Sequence, residues 1–293
     1  MGLCYPDLMM LWNAKQRGVA FTTTATVGHQ SLHLHPQEIA AIRKELPEGP
    51  ESPPASLVEY TFGGYANRLL KDLLQIESFD IVDNSAYEGA NIVHDLNTPL
   101  PEQYFRRYDA VIDGGSLEHI FNFPVAVANL MRMVKVGGSL FLSNPANNQC
   151  GHGFYQFSPE LMFRVFSPEN GFEVQDVILV EGKYSTFHLT PKRRVYRVAD
   201  PNGVRKRVQL LSNRPVTMMV EVKRTSDVEP FSAAPQQSDY VAVWSQRDAR
   251  PDASRGRWKR LLAKLPMPMQ ARLLGYYFNW QYSFRNKQFF QQL

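Results

Sequence analysis

The chain has 293 residues, of which 44% are hydrophobic and 20% are charged, and this composition excludes a disordered or fibrous protein. Two cysteines, Cys4 and Cys150, are too few for a disulfide framework, so we expect a reducing, cytoplasmic setting. No apolar run reaches the ~20 residues that a membrane-spanning helix needs. The net charge is +4, but ten Lys or Arg stand against two Asp from Arg247 onward, so the basic character is concentrated there.

Short apolar segments alternate with amphipathic ones along the first third of the chain. We predict strands at 19–27, 79–82 and 91–93, where β-branched residues are frequent. Leucines recur at helical spacing over 65–74, which predicts a helix between the first two strands.

The stretch 108–145 predicts a complete β-α-β unit. Its first strand contains Val111 and Ile112 and suits burial on both faces. Apolar residues then recur at helical spacing from Val127 to Val134, behind Asn122 as a candidate N-cap. A glycine pair at 137–138 precedes a second apolar strand, so the two strands are expected to be parallel neighbours with a right-handed crossover.

The rest of the chain adds a helix that opens at Ser158 and strands at 172–180 and 215–222. Strands alternating with helices predict an α/β fold with a doubly wound, Rossmann-like sheet, seven-stranded and mostly parallel. We divide the chain into a domain over 1–225, a polar linker over 226–256 and a C-terminal helical extension, a basic aromatic tail over 257–293. A basic insertion, 191–207, precedes the last predicted strand.

Three local patterns around the central unit occur in a recognisable order. Asp113 ends the strand, Leu117-Glu118-His119 follows, and the helix leads into a Val-Gly-Gly turn at 136–138. This order resembles the second half of class I S-adenosylmethionine-dependent methyltransferases. The resemblance covers roughly 19–222, so we interpret 1–225 as a methyltransferase-like domain and S-adenosyl-L-methionine as the implied cofactor.

Candidate cofactor-binding residues stand at predicted strand ends, where ligands of open α/β sheets bind. The resemblance implies that Asp83 binds the ribose hydroxyls and that Asp95 contacts the adenine amino group. It also places Asp113 and Gly114 beside the cofactor, at the end of the fourth strand. Simple turn-capping roles remain the alternatives for Asp83 and Asp95.

The first glycine motif departs from the family pattern, which reads acidic-x-Gly-x-Gly-x-Gly. Here Gly28 stands in register, but Thr26 replaces the leading acid, and Gln30 and Leu32 replace the second and third glycines. Two interpretations follow: either Gln30 and its neighbours supply different contacts, or the fold has lost the cofactor.

Methyl transfer to oxygen or nitrogen requires a positioned nucleophile and a group that accepts its proton. The candidates are Asp113, Glu118 and His119 after the fourth strand and His152 after the fifth, and a simple capping role is the alternative for Glu118. His152 and Tyr155 are also expected to contact the substrate. Glycines on both sides of His152 suggest a mobile loop. The alternative for His119 is a structural role, in which its imidazole forms a hydrogen bond with the backbone.

Metal binding is not predicted. The histidines with loosely ligand-like spacing, His29, His33 and His35, lack a carboxylate partner in the sequence.

The leading hypothesis is a methyltransferase that acts on an oxygen of a small-molecule or glycan acceptor. The second is a catalytically inactive methyltransferase-like protein that serves as a binding or scaffold module. A nucleic-acid methyltransferase ranks last, because no Asn-Pro-Pro-Tyr-type motif is present. The tail is interpreted as packing on the domain or on a second copy in a homodimer, with peripheral membrane contact through its basic aromatic surface as the alternative.

Overall fold

The computed structural model describes residues 2–45, 55–184, 193–232, 234–238, 240, 262 and 264–293. The strands are Gly2–Cys4 (β1), Thr23–Val27 (β2), Ser31–His33 (β3), Ser78–Asp83 (β4), Ile92–Val93 (β5), Tyr108–Asp113 (β6), Val134–Asn147 (β7), Phe172–Glu181 (β8), Arg194–Val198 (β9), Val216–Arg224 (β10) and Phe290–Gln292 (β11). The α-helices are Tyr5–Gln16 (α1), Pro36–Glu45 (α2), Ala55–Val58 (α3), Asn67–Leu74 (α4), Phe123–Met133 (α5), Pro159–Val165 (α6), Pro201–Val204 (α7) and Met267–Gln281 (α8).

The large sheet has the order β11-β9-β8-β10-β7-β6-β2-β4-β5, while β1 and β3 form a separate parallel pair. Strands β5, β4, β2, β6 and β7 are mutually parallel, and β10 lies antiparallel between β7 and β8. The chain winds outward from β2 in one direction and from β6 in the other. The predicted doubly wound, mostly parallel sheet is therefore confirmed, but it has nine strands where seven were predicted, because β9 and β11 are added beyond β8.

The sequence of strand β6 is continuously apolar because both faces of the strand are buried. Val111 belongs to the hydrophobic cluster that contains Leu130 of α5. Ala110 and Ile112 belong to the cluster on the other face, together with Leu8 of α1 and Leu70 of α4. Successive residues of a strand point to opposite faces, so a strand covered by helices on both sides needs no polar alternation.

The C-terminal segment differs from the predicted helical tail. Helix α8 is exposed along its length, and the chain then returns to the domain as β11, which pairs antiparallel with β9. Phe289 and Phe290 are each 1% exposed and belong to the same hydrophobic cluster as Leu130. The end of the described chain is thus part of the domain. The predicted contacts of the basic aromatic surface with a second copy or a membrane stay predictions, and none of the described helices is long and apolar enough to cross a bilayer.

The described part of the predicted linker contacts the domain at several points. Asp227 pairs with Arg106, and Phe231 N donates a hydrogen bond to Asn170 Oδ1 at 3.1 Å. Ser238 N donates to Glu160 Oε1 at 2.7 Å. The remainder of the predicted linker, 241–256, and the start of the predicted tail, including Trp258, lie outside the described residues.

The two cysteines differ in environment and should differ in reactivity. Cys4 is buried, and its burial beside Asp7 raises the pKa of the thiol to about 12, whereas Cys150 is exposed. We expect a thiol-specific reagent at mildly alkaline pH to label Cys150 in the native protein and to label both cysteines only after denaturation. Mass spectrometry of the labelled protein measures this, with Cys150→Ser as the control. Rapid labelling of native Cys150→Ser protein would show that Cys4 is not enclosed as described.

Candidate functional site

A cleft of about 220 Å³ lies at the carboxyl ends of the parallel strands, between the loops that follow β2, β4, β5 and β6. The winding of the sheet reverses between β2 and β6, and ligands of doubly wound folds bind at such a point. Gly28, Asp83, Asp95 and His119 all line this cleft. The structure thus brings together four of the residues that the sequence marked as candidates.

The β2 and β4 ends form one wall of the cleft. Gly28 has a φ of +74°, which favours glycine, and its amide donates to Val82 O at 2.7 Å. Among the described residues, the half-buried carboxylate of Asp83 accepts one long hydrogen bond, from Ser85 N at 3.4 Å. Most of the hydrogen-bonding capacity of Asp83 therefore remains available to a ligand in the cleft.

Asp95 has a partner of its own within the loop after β5. Its Oδ1 atom accepts hydrogen bonds from Asn97 N at 2.9 Å and from Asn97 Nδ2 at 2.8 Å. These bonds lower the pKa of the Asp95 carboxyl below its usual value. Asp95 thus shapes the turn and lines the cleft at the same time.

Gln30 occupies the place where the family pattern has its second glycine. Its side chain is fully buried, and Nε2 donates to Val27 O. A Cβ atom at Gly114 would lie 2.4 Å from Gln30 Oε1 and 2.7 Å from Leu3 Cδ2. Gly114 therefore faces Gln30 and the N-terminal segment. Contrary to the prediction, it does not line the cleft. Among the described residues, Gln30 Oε1 has no hydrogen-bond partner.

Asp113 has a role that differs from the predicted catalytic and cofactor-binding ones. Its carboxylate is 1% exposed and accepts hydrogen bonds from Ser116 N at 2.8 Å, Leu117 N at 3.4 Å and Asn144 Nδ2 at 2.7 Å. Burial raises its pKa in spite of these bonds. A carboxylate enclosed in this way cannot reach a substrate, and it instead fixes the loop after β6.

Glu118, His119 and His152 form a second polar group beside the cleft, here called the Glu-His-His cluster. Glu118 is 1% exposed; its Oε2 accepts from Asn144 Nδ2 at 3.0 Å, and its Oε1 lies 3.5 Å from His152 Nε2 and 3.9 Å from His119 Nε2. Burial and the neighbouring Asp113 raise the pKa of Glu118 to about 7. Burial and the neighbouring His152 lower the pKa of His119.

The loop that carries His152 is attached to the backbone of Glu118. Phe154 N and Tyr155 N donate to Glu118 O at 2.8 and 3.3 Å. A Cβ atom at Gly153 would lie 2.7 Å from Glu118 O, so only glycine allows this approach. This attachment differs from the mobile loop expected from the sequence, and it holds His152 beside Glu118.

The remaining candidates have local roles. Tyr155 Oη donates to Phe121 O at 2.7 Å, and its ring stacks on Phe157, so its predicted contact with substrate stays a prediction. His29 stacks on Tyr65, away from any carboxylate contact in the described part of the chain. Glu118, which the Leu117-Glu118-His119 pattern offers as a candidate base or a simple cap, is buried at the centre of the Glu-His-His cluster.

Neither a protein-family model nor a curated protein matches the chain. Among solved structures, a candidate methyltransferase from Bacillus halodurans C-125 is similar at 10% identity and a TM-score of 0.43, over 74% of this chain and 99% of that one. A candidate histamine N-methyltransferase from Thermotoga maritima is similar at 12% identity and a TM-score of 0.41, over 75% and 89%. The Burkholderia thailandensis 1,6-didemethyltoxoflavin N1-methyltransferase, solved with S-adenosylhomocysteine, is similar at 10% identity and a TM-score of 0.36, over 74% and 77%. At these identities the likenesses assign no reaction to this chain.

Proposed function

We propose that this protein is an S-adenosylmethionine-dependent methyltransferase that methylates an oxygen of a small-molecule or glycan acceptor. The observation that carries the proposal is the cleft at the reversal point of the sheet, with a largely unengaged carboxylate, Asp83, at the end of the second parallel strand. The chemistry of such a carboxylate suits a pair of vicinal hydroxyls, which the ribose of the cofactor offers.

The residues around the cleft fit this cofactor. Asp83 would bind the ribose, and Asp95 would lie beside the adenine. Gln30 is fully buried beside Gly114 and is not part of the cleft lining, so no cofactor contact is assigned to it. When bound, S-adenosylmethionine supplies an electrophilic methyl group.

The Glu-His-His cluster adjoins the cleft, because His119 belongs both to the cluster and to the cleft lining, and the cluster would form the acceptor side. His119 and His152 would position the acceptor. His152 would accept the proton of the acceptor hydroxyl at Nδ1, because its Nε2 faces Glu118 Oε1 at 3.5 Å, and this carboxylate would stabilise the resulting imidazolium.

Isothermal titration with S-adenosylmethionine and S-adenosylhomocysteine tests the proposal. We expect both to bind the purified protein, and we expect Asp83→Ala to weaken binding at least tenfold, about 1.4 kcal/mol. Asp72→Ala, which removes an exposed carboxylate on α4, should leave the affinity unchanged. No heat and no thermal shift at millimolar cofactor would exclude the enzymatic proposal.

A catalytically inactive binding module is the second candidate, and one specific observation favours it. Gln30 and Leu3 fill the space over Gly114, where the family pattern places the cofactor close to the backbone. If the protein is such a module, titrating the wild type with S-adenosylmethionine or S-adenosylhomocysteine gives no heat, although the wild-type protein is folded and thermally stable.

A further inference from the structure

We propose that the Glu-His-His cluster is a binding site for a divalent first-row transition-metal ion. Its three ligand atoms, one each from Glu118, His119 and His152, all lie within 4.8 Å of one another. A metal bonded to nitrogen and oxygen at ~2.0–2.2 Å holds neighbouring ligand atoms about 3 Å apart. Modest side-chain rotations therefore close the site around an ion.

The buried oxygen of Glu118 is the observation that points to a cation. Oε1 has no hydrogen-bond partner among the described residues, and Glu118 is 1% exposed. Within the same part of the chain, the ion-pair contacts of Glu118 are with the two imidazoles. Asn144 joins Glu118 to Asp113, so two carboxylates share one buried amide. A cation at Oε1 would offset the negative charge concentrated there.

Contacts that do not involve the three ligand atoms already hold Glu118 and the His152 loop in place. Asn144 fixes the other oxygen of Glu118, as supporting residues of metal sites do for their ligands. The backbone bond from Phe154 N to Glu118 O and the close approach of Gly153 hold the His152 loop against Glu118. Two ligands that are 34 positions apart in the sequence are thus brought together by the backbone itself.

The donor set identifies the class of ion. Imidazole nitrogens suit zinc, iron, copper and nickel, whereas magnesium and calcium prefer all-oxygen sites. Three protein ligands leave coordination positions open, as in catalytic metal sites. The side chains of His119 and His152 are 45% and 53% exposed, so these positions are accessible from the solvent and the cleft.

A role for the ion in the reaction rests on the proposed function. An acceptor hydroxyl bound to the ion would lose its proton to water more easily. His152 would then be a ligand and not the base described above. The two roles exclude each other at a single imidazole, and metal binding decides between them.

The experiment uses the full, untagged chain after dialysis against a chelator. Zn²⁺ is titrated calorimetrically, and Co²⁺ is titrated by visible absorption, whose d–d bands report nitrogen and oxygen coordination. We expect one ion per chain, and we expect His152→Ala and His119→Ala each to weaken binding at least tenfold. His94→Ala is the matched control, because His94 lines the same cleft but lies outside the cluster. Circular dichroism verifies that each variant is folded.

Glu118→Gln supplies a further variant that keeps the size of the side chain while removing its charge, and it should also lose the ion. Absence of binding by the folded wild type would overturn the proposal. So would equal binding by the wild type, His152→Ala and His94→Ala, since it would place the ion elsewhere. The titration is made without S-adenosylmethionine, so metal binding and cofactor binding can fail independently of each other.

Discussion

Replacing Asp113 with alanine is expected to lower the free energy of unfolding by about 3 kcal/mol, since several buried hydrogen-bond donors lose their acceptor together. These donors are Ser116 N, Leu117 N and Asn144 Nδ2, and they fix the loop after β6. Urea denaturation followed by circular dichroism measures the change. The loss of stability would identify Asp113 as a structural residue that fixes the loop after β6.

Two variants serve as controls for this result. Asp113→Asn keeps one oxygen acceptor but sets an amide NH2 group against the donors of the other oxygen, so it should lose stability, though less than Asp113→Ala does. Asp72→Ala, on the exposed face of α4, should change stability by less than about 0.5 kcal/mol. If Asp113→Ala is as stable as the wild type but no longer binds cofactor, Asp113 belongs to the binding machinery after all.

Replacing Phe290 with alanine is expected to lower the free energy of unfolding by about 4 kcal/mol, the usual range for a fully buried aromatic ring. Phe290 is 1% exposed and contacts the rings of Phe284 and Phe289, with centroids 5.1 and 6.2 Å away. Its backbone pairs with Val198 of β9. Urea denaturation measures the loss.

Tyr276→Ala is the matched control for the aromatic substitution. Tyr276 lies on α8 and is 62% exposed, so its removal should change stability by less than about 0.5 kcal/mol. Equal stability of the wild type and Phe290→Ala would mean that the C-terminal segment does not contribute to the hydrophobic core of the domain.

The parts of the fold that the sequence predicts are those encoded by local patterns. The unit from β6 to β7 combines a buried strand, a helical repeat of apolar residues and a glycine pair, and each signal lies within a few residues of the next. Asp83 is predicted because parallel strands end at one edge of the sheet, so residues at strand ends meet there. Gly28 is predicted because it stands in register with the first glycine motif of the family that the sequence resembles.

The parts that the sequence does not reveal depend on partners distant in the chain. Strand β11 has three residues, too few for a periodic pattern, and its pairing with β9 is decided by the tertiary fold. Asn122 is the N-cap of α5 but makes no side-chain capping bond, and its Nδ2 donates to Asn97 O. Whether Asp113 points into the cleft or into the loop depends on Asn144 of β7, and spacing alone carries no information on this.

The approach of His152 to Glu118 is another such case. The glycines around His152 suggest mobility when only the sequence is considered, but Gly153 allows the loop to lie against Glu118 O. A glycine that permits motion and a glycine that permits close packing look alike in a sequence.

The position of β10 has a consequence for the synthesis and handling of this protein. It lies between β7 and β8, yet it follows both of them in the chain. Until residues 216–224 are in place, β7 and β8 each present an open row of backbone donors and acceptors toward the gap. Unpaired strands of this kind recruit other chains and promote aggregation. Truncated expression fragments that stop before Val216 are therefore poor starting material, and a nascent chain depends on protection from other chains until β10 closes the sheet.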